Sequence, residues 1–238
     1  MSLTCAELIT ETKALIGRTG DTDYITDERV LRWINDAQRE IAEKCIGLEC
    51  LERKNTTSVD TTQKLSYALA DWTFDVTVDA TTTNRVCHVK AMYYLDGNES
   101  HQLVFKPKDE FDAEIIDPTN SDFDPWYKPE RFTRRGDYVE LYPLCASAYC
   151  DKNLRLDAYI YPPDFTGSAS TRSSIIDNAD KGLIAYAILE AWKHIGGQTG
   201  DANAIKWSLV WDKWLEDFQA QNDNLHAWEA NIYGDYVY

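Results

Sequence analysis

The chain lacks the long apolar runs and the surplus of basic residues that mark two common classes of protein. No segment approaches the roughly eighteen consecutive apolar residues that a membrane-spanning helix needs, so we expect no membrane partner. Lys+Arg number 24 against 40 Asp+Glu, a formal net charge of −16. Such an acidic surface repels phosphate, which disfavours broad nucleic-acid binding. The first residues show neither the basic nor the apolar region of a signal peptide, so we expect synthesis in the cytoplasm.

Cysteine is also too sparse, at six in 238 residues, to build a disulfide scaffold. Two pairs share a C-x4-C spacing, Cys45 with Cys50 and Cys145 with Cys150, which would suit a four-thiolate zinc site. Zinc sites generally use tighter C-x2-C spacings, and Cys87-His88 lies in a strand pattern where neighbours point to opposite faces. A disulfide between Cys145 and Cys150, or reduced thiols throughout, are the alternatives. We predict no metal and no cofactor.

Catalytic signatures are missing as well. The four histidines are scattered, and no Gly-x-Ser-x-Gly motif accompanies them. The glycines of residues 196–200 lie between two helical patterns, whereas a phosphate-binding loop follows a strand. Forty acids with eight Trp and 14 Tyr would suit a sugar-binding cleft, but Trp207, Trp211 and Trp214 recur at helical spacing, which is typical of a packed stripe. We therefore predict no catalytic residue and no enzyme.

Helical patterns occupy both ends of the chain. Thr4 and Glu7 form a capping box for a short helix that Gly17 ends. A second helix runs from Thr26 or Asp27 to about Cys45, with apolar residues at helical steps. Near the C-terminus two further helices, the second beginning at Gly200-Asp201, form an αα-hairpin around the glycine-rich turn. The apolar positions that define these three longer helices are Val30, Ile34, Ala37, Ile41 and Cys45; Ile184, Ile188, Ala191 and Ile195; and Trp207, Trp211, Trp214 and Phe218.

The middle of the chain alternates between apolar and polar residues, as strands do. Hairpin turns are predicted at Asp96-Gly97-Asn98 and at Arg135-Gly136-Asp137, and one short helix at 107–116. The predicted strands are Thr57–Asp60, Lys64–Ala68, Phe74–Val78, Arg85–Leu95, Gln102–Lys106, Phe132–Arg134, Tyr138–Tyr142 and Leu154–Tyr161.

These patterns predict an α+β fold in which two terminal helix pairs form one four-helix bundle, because each pair alone leaves an apolar face unburied. An antiparallel β module is inserted between the second and third bundle helices. The segments are 1–47, the N-terminal helix pair; 48–165, the β module with one short helix; 175–227, the C-terminal αα-hairpin; and 228–238, a tail.

Two stretches stand out by composition. Residues 96–127 hold nine acids against two lysines, which is typical either of a solvated face or of a surface that repels an anion. Residues 228–238 carry four aromatic side chains, although chain termini are commonly polar. We therefore expect this tail to dock, either on its own domain or on a neighbouring subunit or partner.

The two ends and the middle of the chain resemble tailed-bacteriophage head–tail adaptor (connector) proteins. The resemblance covers nearly the whole chain and is structural, with no catalytic fingerprint. It is carried by Leu3-Thr4 with Glu7-Leu8-Ile9; by Ile25-Thr26-Asp27 with residues 31–42; by the hairpin of residues 128–143 and the strand of 154–163; and by the helical ending from Ile184 to Phe218.

The resemblance implies a structural virion protein at the head–tail junction. Such proteins form a ring, commonly of twelve copies, that binds the portal protein, offers a platform to a tail or tail-nozzle protein, and lets DNA pass without specific binding. We expect acids to line that channel, the first candidates being Asp109, Glu110, Asp112, Glu114, Asp117, Asp122 and Asp124. The tail residues expected to contact the portal or the next subunit are Trp228, Ile232, Tyr233, Tyr236, Val237 and Tyr238.

Two other functions fit the sequence less well. A tail-completion or tube-proximal ring protein is one alternative, but such proteins tend to be mostly β, which the terminal helix pairs disfavour. A sugar-active cell-wall hydrolase or binding module is the other, and turnover of a glycan would distinguish it.

Overall fold

The computed structural model describes residues 2–58, 66–72, 74, 85–114, 128–143 and 152–234, without the side chains of Glu114 and of 224–234. Within these residues the chain forms five α-helices and two β-sheets, which confirms the predicted α+β class. It divides into two compact units. The helical unit comprises Met1–Leu51 and Tyr161–Tyr238, and the β unit comprises Glu52–Ile160.

The first helix of the helical unit, α1 (Cys5–Leu15), begins with the predicted capping box. The Glu7 N–H donates to the Thr4 hydroxyl at 3.3 Å, and the Thr4 N–H donates to the Glu7 carboxylate at 2.8 Å. Gly17 follows the helix with φ of +72°, a conformation open to glycine at little cost. The Thr4–Glu7 capping box and Gly17 therefore determine where α1 begins and ends.

The second helix, α2 (Asp27–Lys44), begins after Thr26, whose side chain accepts a hydrogen bond from the Arg29 N–H. Its last residue is Lys44 and Cys45 is its C-cap, in agreement with the end predicted from its apolar residues. The apolar residues of that period are all fully or almost fully buried: Val30, Ile34, Ala37, Ile41 and Cys45. The helix therefore directs one continuous apolar stripe into the core.

The last two helices, α4 (Asp180–Ile195) and α5 (Gly197–Gly234), are joined by a tight turn. Gly196 and Gly197 have φ of +65° and +71°, so two glycines suffice for the turn. Consequently α5 begins at Gly197 rather than at the predicted Gly200, and it runs for 38 residues. The backbone of 228–234, assigned to the tail by sequence, continues this helix.

α4 is the central helix of the unit, since it contacts α1, α2 and α5. Gly182 permits the approach of α5, because a Cβ atom on Gly182 would lie only 2.4 Å from Trp214 Cζ3. Along α5 the rings of Trp211, Trp214 and Phe218 stack in succession, with centroid separations of 5.5 and 4.8 Å. The predicted tryptophan stripe is thus a packed helix face.

A buried polar network anchors the segment that enters the helical unit after Tyr161. The Asn35 amide donates to the Phe165 carbonyl at 3.1 Å and accepts from the Phe165 N–H at 2.9 Å. The Ser174 hydroxyl donates to the Gln38 side chain at 2.8 Å. Two polar residues on the buried side of α2 therefore satisfy backbone and side-chain groups of this segment.

The β unit contains two four-stranded sheets with the strand orders β1-β8-β3-β4 and β2-β7-β6-β5. Side chains from both sheets share one apolar core, in which Trp72, Met92, Tyr94 and Leu154 are fully buried. The strands are β1 (Glu52–Ser58), β2 (Ser66–Ala68), β3 (Val86–Asp96), β4 (Glu99–Gln102), β5 (Val104–Phe105), β6 (Arg131–Arg135), β7 (Tyr138–Tyr142) and β8 (Asn153–Ile160).

Both predicted hairpin turns are confirmed, with Gly97 and Gly136 at φ of +61°. The strand pairs of the described β unit are antiparallel as predicted, except that β5 pairs with β6 in parallel, Val104 opposite Arg131 and Phe105 opposite Phe132. The first strand begins at Glu52, five residues before the predicted Thr57, since pairing with β8 holds a polar sequence extended. The predicted strand at 74–78 lies almost entirely outside the described residues.

Candidate interaction surfaces

The short helix α3 (Lys108–Glu114) carries the first four of the predicted channel acids. Phe111 of this helix is 1% exposed and packs edge-on against Tyr142 with ring centroids 6.3 Å apart. Asp109, Glu110 and Asp112 are exposed. An aromatic contact thus helps to hold an acidic helix in the β unit.

Basic residues neutralise part of this acidic surface. Arg135 binds Asp112 and also donates to Glu140 at 2.5 Å. These two carboxylates raise the pKa of Arg135 above its usual range, with the Asp112 hydrogen bond as the larger cause. Lys106 lies 3.8 Å from Glu110. The excess negative charge of α3 is therefore smaller than its sequence indicates.

The remaining predicted channel acids, Asp117, Asp122 and Asp124, lie outside the described residues, so α3 alone represents this candidate surface. Of the predicted tail contacts, the backbone of Trp228, Ile232 and Tyr233 belongs to α5. Outside the described residues lie Tyr236, Val237 and Tyr238.

The helical unit also exposes an apolar patch that sequence reasoning missed, formed by Ile205, Leu209 and Val210 on α5. Their exposed fractions are 66%, 66% and 42%. Ile205 precedes the aromatic stripe of α5, and Leu209 and Val210 lie between its members Trp207 and Trp211. The sequence signal for this patch was the four-residue spacing of Ile205 and Leu209, about one helical turn. That spacing places both residues on a different side of the helix from Trp211.

The β unit exposes apolar side chains as well, at Val104, Phe105 and Tyr138, with exposed fractions of 57%, 55% and 52%. Phe105 lies on the edge strand β5 and contacts the buried Phe132 edge-on at 5.5 Å. Val104 and Phe105 are successive residues of β5, so their side chains lie on opposite faces of this edge strand, and exposed apolar residues on an edge strand are typical of sites that bind other proteins. Each unit therefore offers its own candidate contact surface.

The cysteines do not assemble into a metal site in the described part of the chain. Cys5, Cys45 and Cys87 are buried and Cys50 is half-buried, and within the described ranges no three His, Cys, Asp or Glu side chains group closely enough to bind a metal. Burial raises the pKa of both Cys5 and Cys45 to about 11. Because metals bind the thiolate, burial works against ligation by these two. Cys145 and Cys150 lie outside the described residues.

No described helix is both long and apolar enough to cross a membrane. The surfaces that distinguish this molecule are an acidic helix and exposed apolar residues on two compact units, and exposed apolar residues of this kind are features of a protein that binds other proteins. The family model of the SU10 adaptor protein matches residues 3–229. The chain therefore belongs to the SU10 adaptor protein family, and the predicted resemblance to phage head–tail adaptors is confirmed. A search of curated proteins found no significant match.

Membership of this family makes the chain a structural adaptor of a bacteriophage, located at the head–tail junction of the virion. The adaptor family is structural and is not known for catalysis. Interaction with other virion components follows from the same membership.

Proposed function

We propose that this adaptor forms a ring that binds the portal vertex, carries the tail or tail-nozzle protein, and leaves a channel for DNA. The observation that carries the proposal is the match to the adaptor family along almost the full chain, residues 3–229. In this proposal the two helix pairs, residues 1–47 and 175–227, pack as a four-helix bundle and the β module of residues 48–165 is inserted between them. The contacts of α4 with α1, α2 and α5 support that arrangement.

Two different apolar surfaces support a ring. A closed ring is built from heterologous contacts, in which one surface of a subunit meets a different surface of the next. The patch at Ile205, Leu209 and Val210 on α5 and the exposed edge strand β5, with Val104 and Phe105, supply two such surfaces. The ring copy number that we propose, twelve, follows the family resemblance.

The acids of α3 support a channel that DNA traverses without binding. Basic residues would release counterions from DNA and gain affinity, whereas carboxylates gain none. In the proposed ring Asp109 and Glu110 face the passing duplex, with Asp112 held by Arg135 beside them.

In this proposal the tail, residues 228–238, binds the portal or the next subunit. Its aromatic residues are of the kind that anchor interfaces. Upstream of the tail, α5 contacts its own unit, where Gln219 donates to the Lys44 carbonyl at 2.7 Å and Asn222 to the Ile46 carbonyl at 3.3 Å. We assign residues 228–238, which follow these contacts, to the partner or the next subunit.

Deletion of residues 228–238 tests the proposal. Circular dichroism should show that the full chain and the truncated chain are both folded, and mass measurement by size exclusion should show that only the full chain joins DNA-filled, portal-bearing heads. The variant Ile205→Ser/Leu209→Ser should bind the portal but fail to complete the ring. Normal tail attachment by the truncated protein would remove the docking role of the tail, and normal rings from the double variant would remove the α5 patch from the ring contact.

A further inference from the structure

A groove of about 550 Å³ opens in the helical unit between α1, the start of α4 and the middle of α5. Trp214 and Phe218 line it with half-buried rings. The two rings are stacked, with centroids 4.8 Å apart and planes inclined by 22°. The groove thus combines an aromatic lining with enough open volume for a long side chain of another protein.

The rim of this groove is acidic. Glu11, Asp180 and Asp217 line it, and Lys181 is the one basic residue among its described lining. One oxygen of Asp180 already accepts a hydrogen bond from the Leu3 N–H at 2.9 Å. Glu11 and Asp217 are exposed, so their carboxylates are accessible to a cation.

The surrounding chain reinforces this negative field. No lysine or arginine follows Lys213 in the sequence, whereas five acids do. The residues of the helical unit hold 11 Lys+Arg against 21 Asp+Glu in total. A cationic occupant therefore gains from the whole surface, and a phosphate-bearing one such as nucleic acid or an anionic membrane is repelled.

We propose that this groove binds an arginine side chain presented by a segment of a partner protein. A guanidinium group can lie with its flat face on an aromatic ring while its N–H groups donate to carboxylates. Because Trp214 is stacked between Trp211 and Phe218, the ring that takes this role in the groove is Phe218, next to Trp214. The β unit contains an intramolecular example, in which the Arg155 guanidinium lies 4.0 Å from the Tyr93 ring centroid and donates to Asp157 at 3.0 Å. That the partner is a neighbouring virion subunit rests on the proposed function, whereas the binding chemistry does not.

Peptide titration of the isolated full-length protein tests the groove without heads or portals. The probe is a short acetylated peptide with two arginines between glycines, and the readout is the set of tryptophan indole N–H signals in NMR, with that of Trp214 assigned from the Trp214→Phe variant. We expect the Trp214 signal to shift on titration at low salt. Peptides with citrulline or lysine in place of arginine should bind at least about tenfold more weakly.

Matched variants separate the groove from the overall charge. Glu11→Gln/Asp217→Asn should weaken binding of the arginine peptide about tenfold, whereas Asp212→Asn/Glu216→Gln removes the same charge from exposed positions of α5 and should leave Kd within about twofold. Circular dichroism checks that both variants are folded. Equal weakening by both pairs, equal binding of the lysine or citrulline peptide, or an unshifted Trp214 signal would each overturn the proposal, and none bears on ring formation or tail attachment.

Discussion

At the scale of single residues, the Asn35 side chain forms backbone hydrogen bonds of the kind that a neighbouring β-strand forms. Its amide forms one donor and one acceptor hydrogen bond with the backbone of Phe165, which are the two bonds that a neighbouring strand would supply. The site is buried, so water cannot replace them. The segment after Tyr161 follows the last strand of the β unit and belongs to the helical unit. The Asn35 side chain therefore holds the start of this segment on α2.

Replacement of Asn35 by alanine should destabilise the protein by about 2–4 kcal/mol, because it leaves the Phe165 N–H and C=O buried without partners. Urea unfolding followed by fluorescence measures the loss of unfolding free energy. Asn222→Ala, which removes an exposed amide that donates to the Ile46 carbonyl, should cost less than about 1 kcal/mol. Equal costs for the two variants would mean that the buried pairing contributes little.

The buried thiols of Cys5 and Cys45 make stability depend on alkaline pH. Burial raises the pKa of each from 9.0 to about 11, so the folded state retains both protons after the unfolded state has begun to lose them. The resulting stabilisation is fully present below pH 9 and is lost as the pH rises towards 11. Guanidinium unfolding at pH 8, 9 and 10 should therefore show a decline that Cys5→Ala/Cys45→Ala reduces. An unchanged pH slope in that variant would contradict the assignment.

At the scale of elements, periodic apolar residues predicted the helices well because burial of one stripe decides the structure of a long segment. The start of α5 was predicted at Gly200, three residues too late, since Gly197-Gln198-Thr199-Gly200 has low intrinsic helix propensity. These residues are helical in the structure, next to α4 and the packed remainder of α5. In the β unit, the parallel pair β5–β6 was unpredictable, because its partners are 27 residues apart in sequence at Val104 and Arg131 and no local pattern encodes their direction.

Gly182 is the element-scale feature most open to test, because it sets how closely α4 approaches α5. Alanine is the better helix former by about 1 kcal/mol, yet its Cβ would lie 2.4 Å from Trp214 Cζ3. We expect Gly182→Ala to destabilise the protein by about 1–3 kcal/mol, as overpacking does. The variant Gly182→Ala/Trp214→Leu should recover part of that loss. Thermal unfolding measures both, and a stabilised single variant would show that the helices separate freely.

At the scale of the whole molecule, the sequence predicted the α+β class and the adaptor resemblance, but only part of the surface. The tail and the acidic stretch were found because aromatic residues near a terminus and runs of one charge are visible as composition. The groove beside Trp214 was not predicted, since Glu11, Asp180 and Asp217 are far apart in sequence and come close together only when α1, α4 and α5 pack. Likewise, the pairing of Asp112 with Arg135 depends on the contact between α3 and β6.

The acids of α3 carry the last prediction. If Asp109 and Glu110 line the channel, Asp109→Lys/Glu110→Lys changes every subunit of the ring by four charge units, and DNA gains phosphate contacts that release counterions. We expect assembled virions of this variant to eject DNA more slowly, and the isolated rings to bind duplex with an affinity that falls steeply as salt rises. Asp212→Lys/Glu216→Lys makes the same charge change on α5 and should leave ejection unaltered. Since Asp112 and its partner Arg135 remain intact, α3 keeps its anchor and assembly should survive. Unchanged ejection by the α3 variant would mean that these acids form a solvated face away from the DNA.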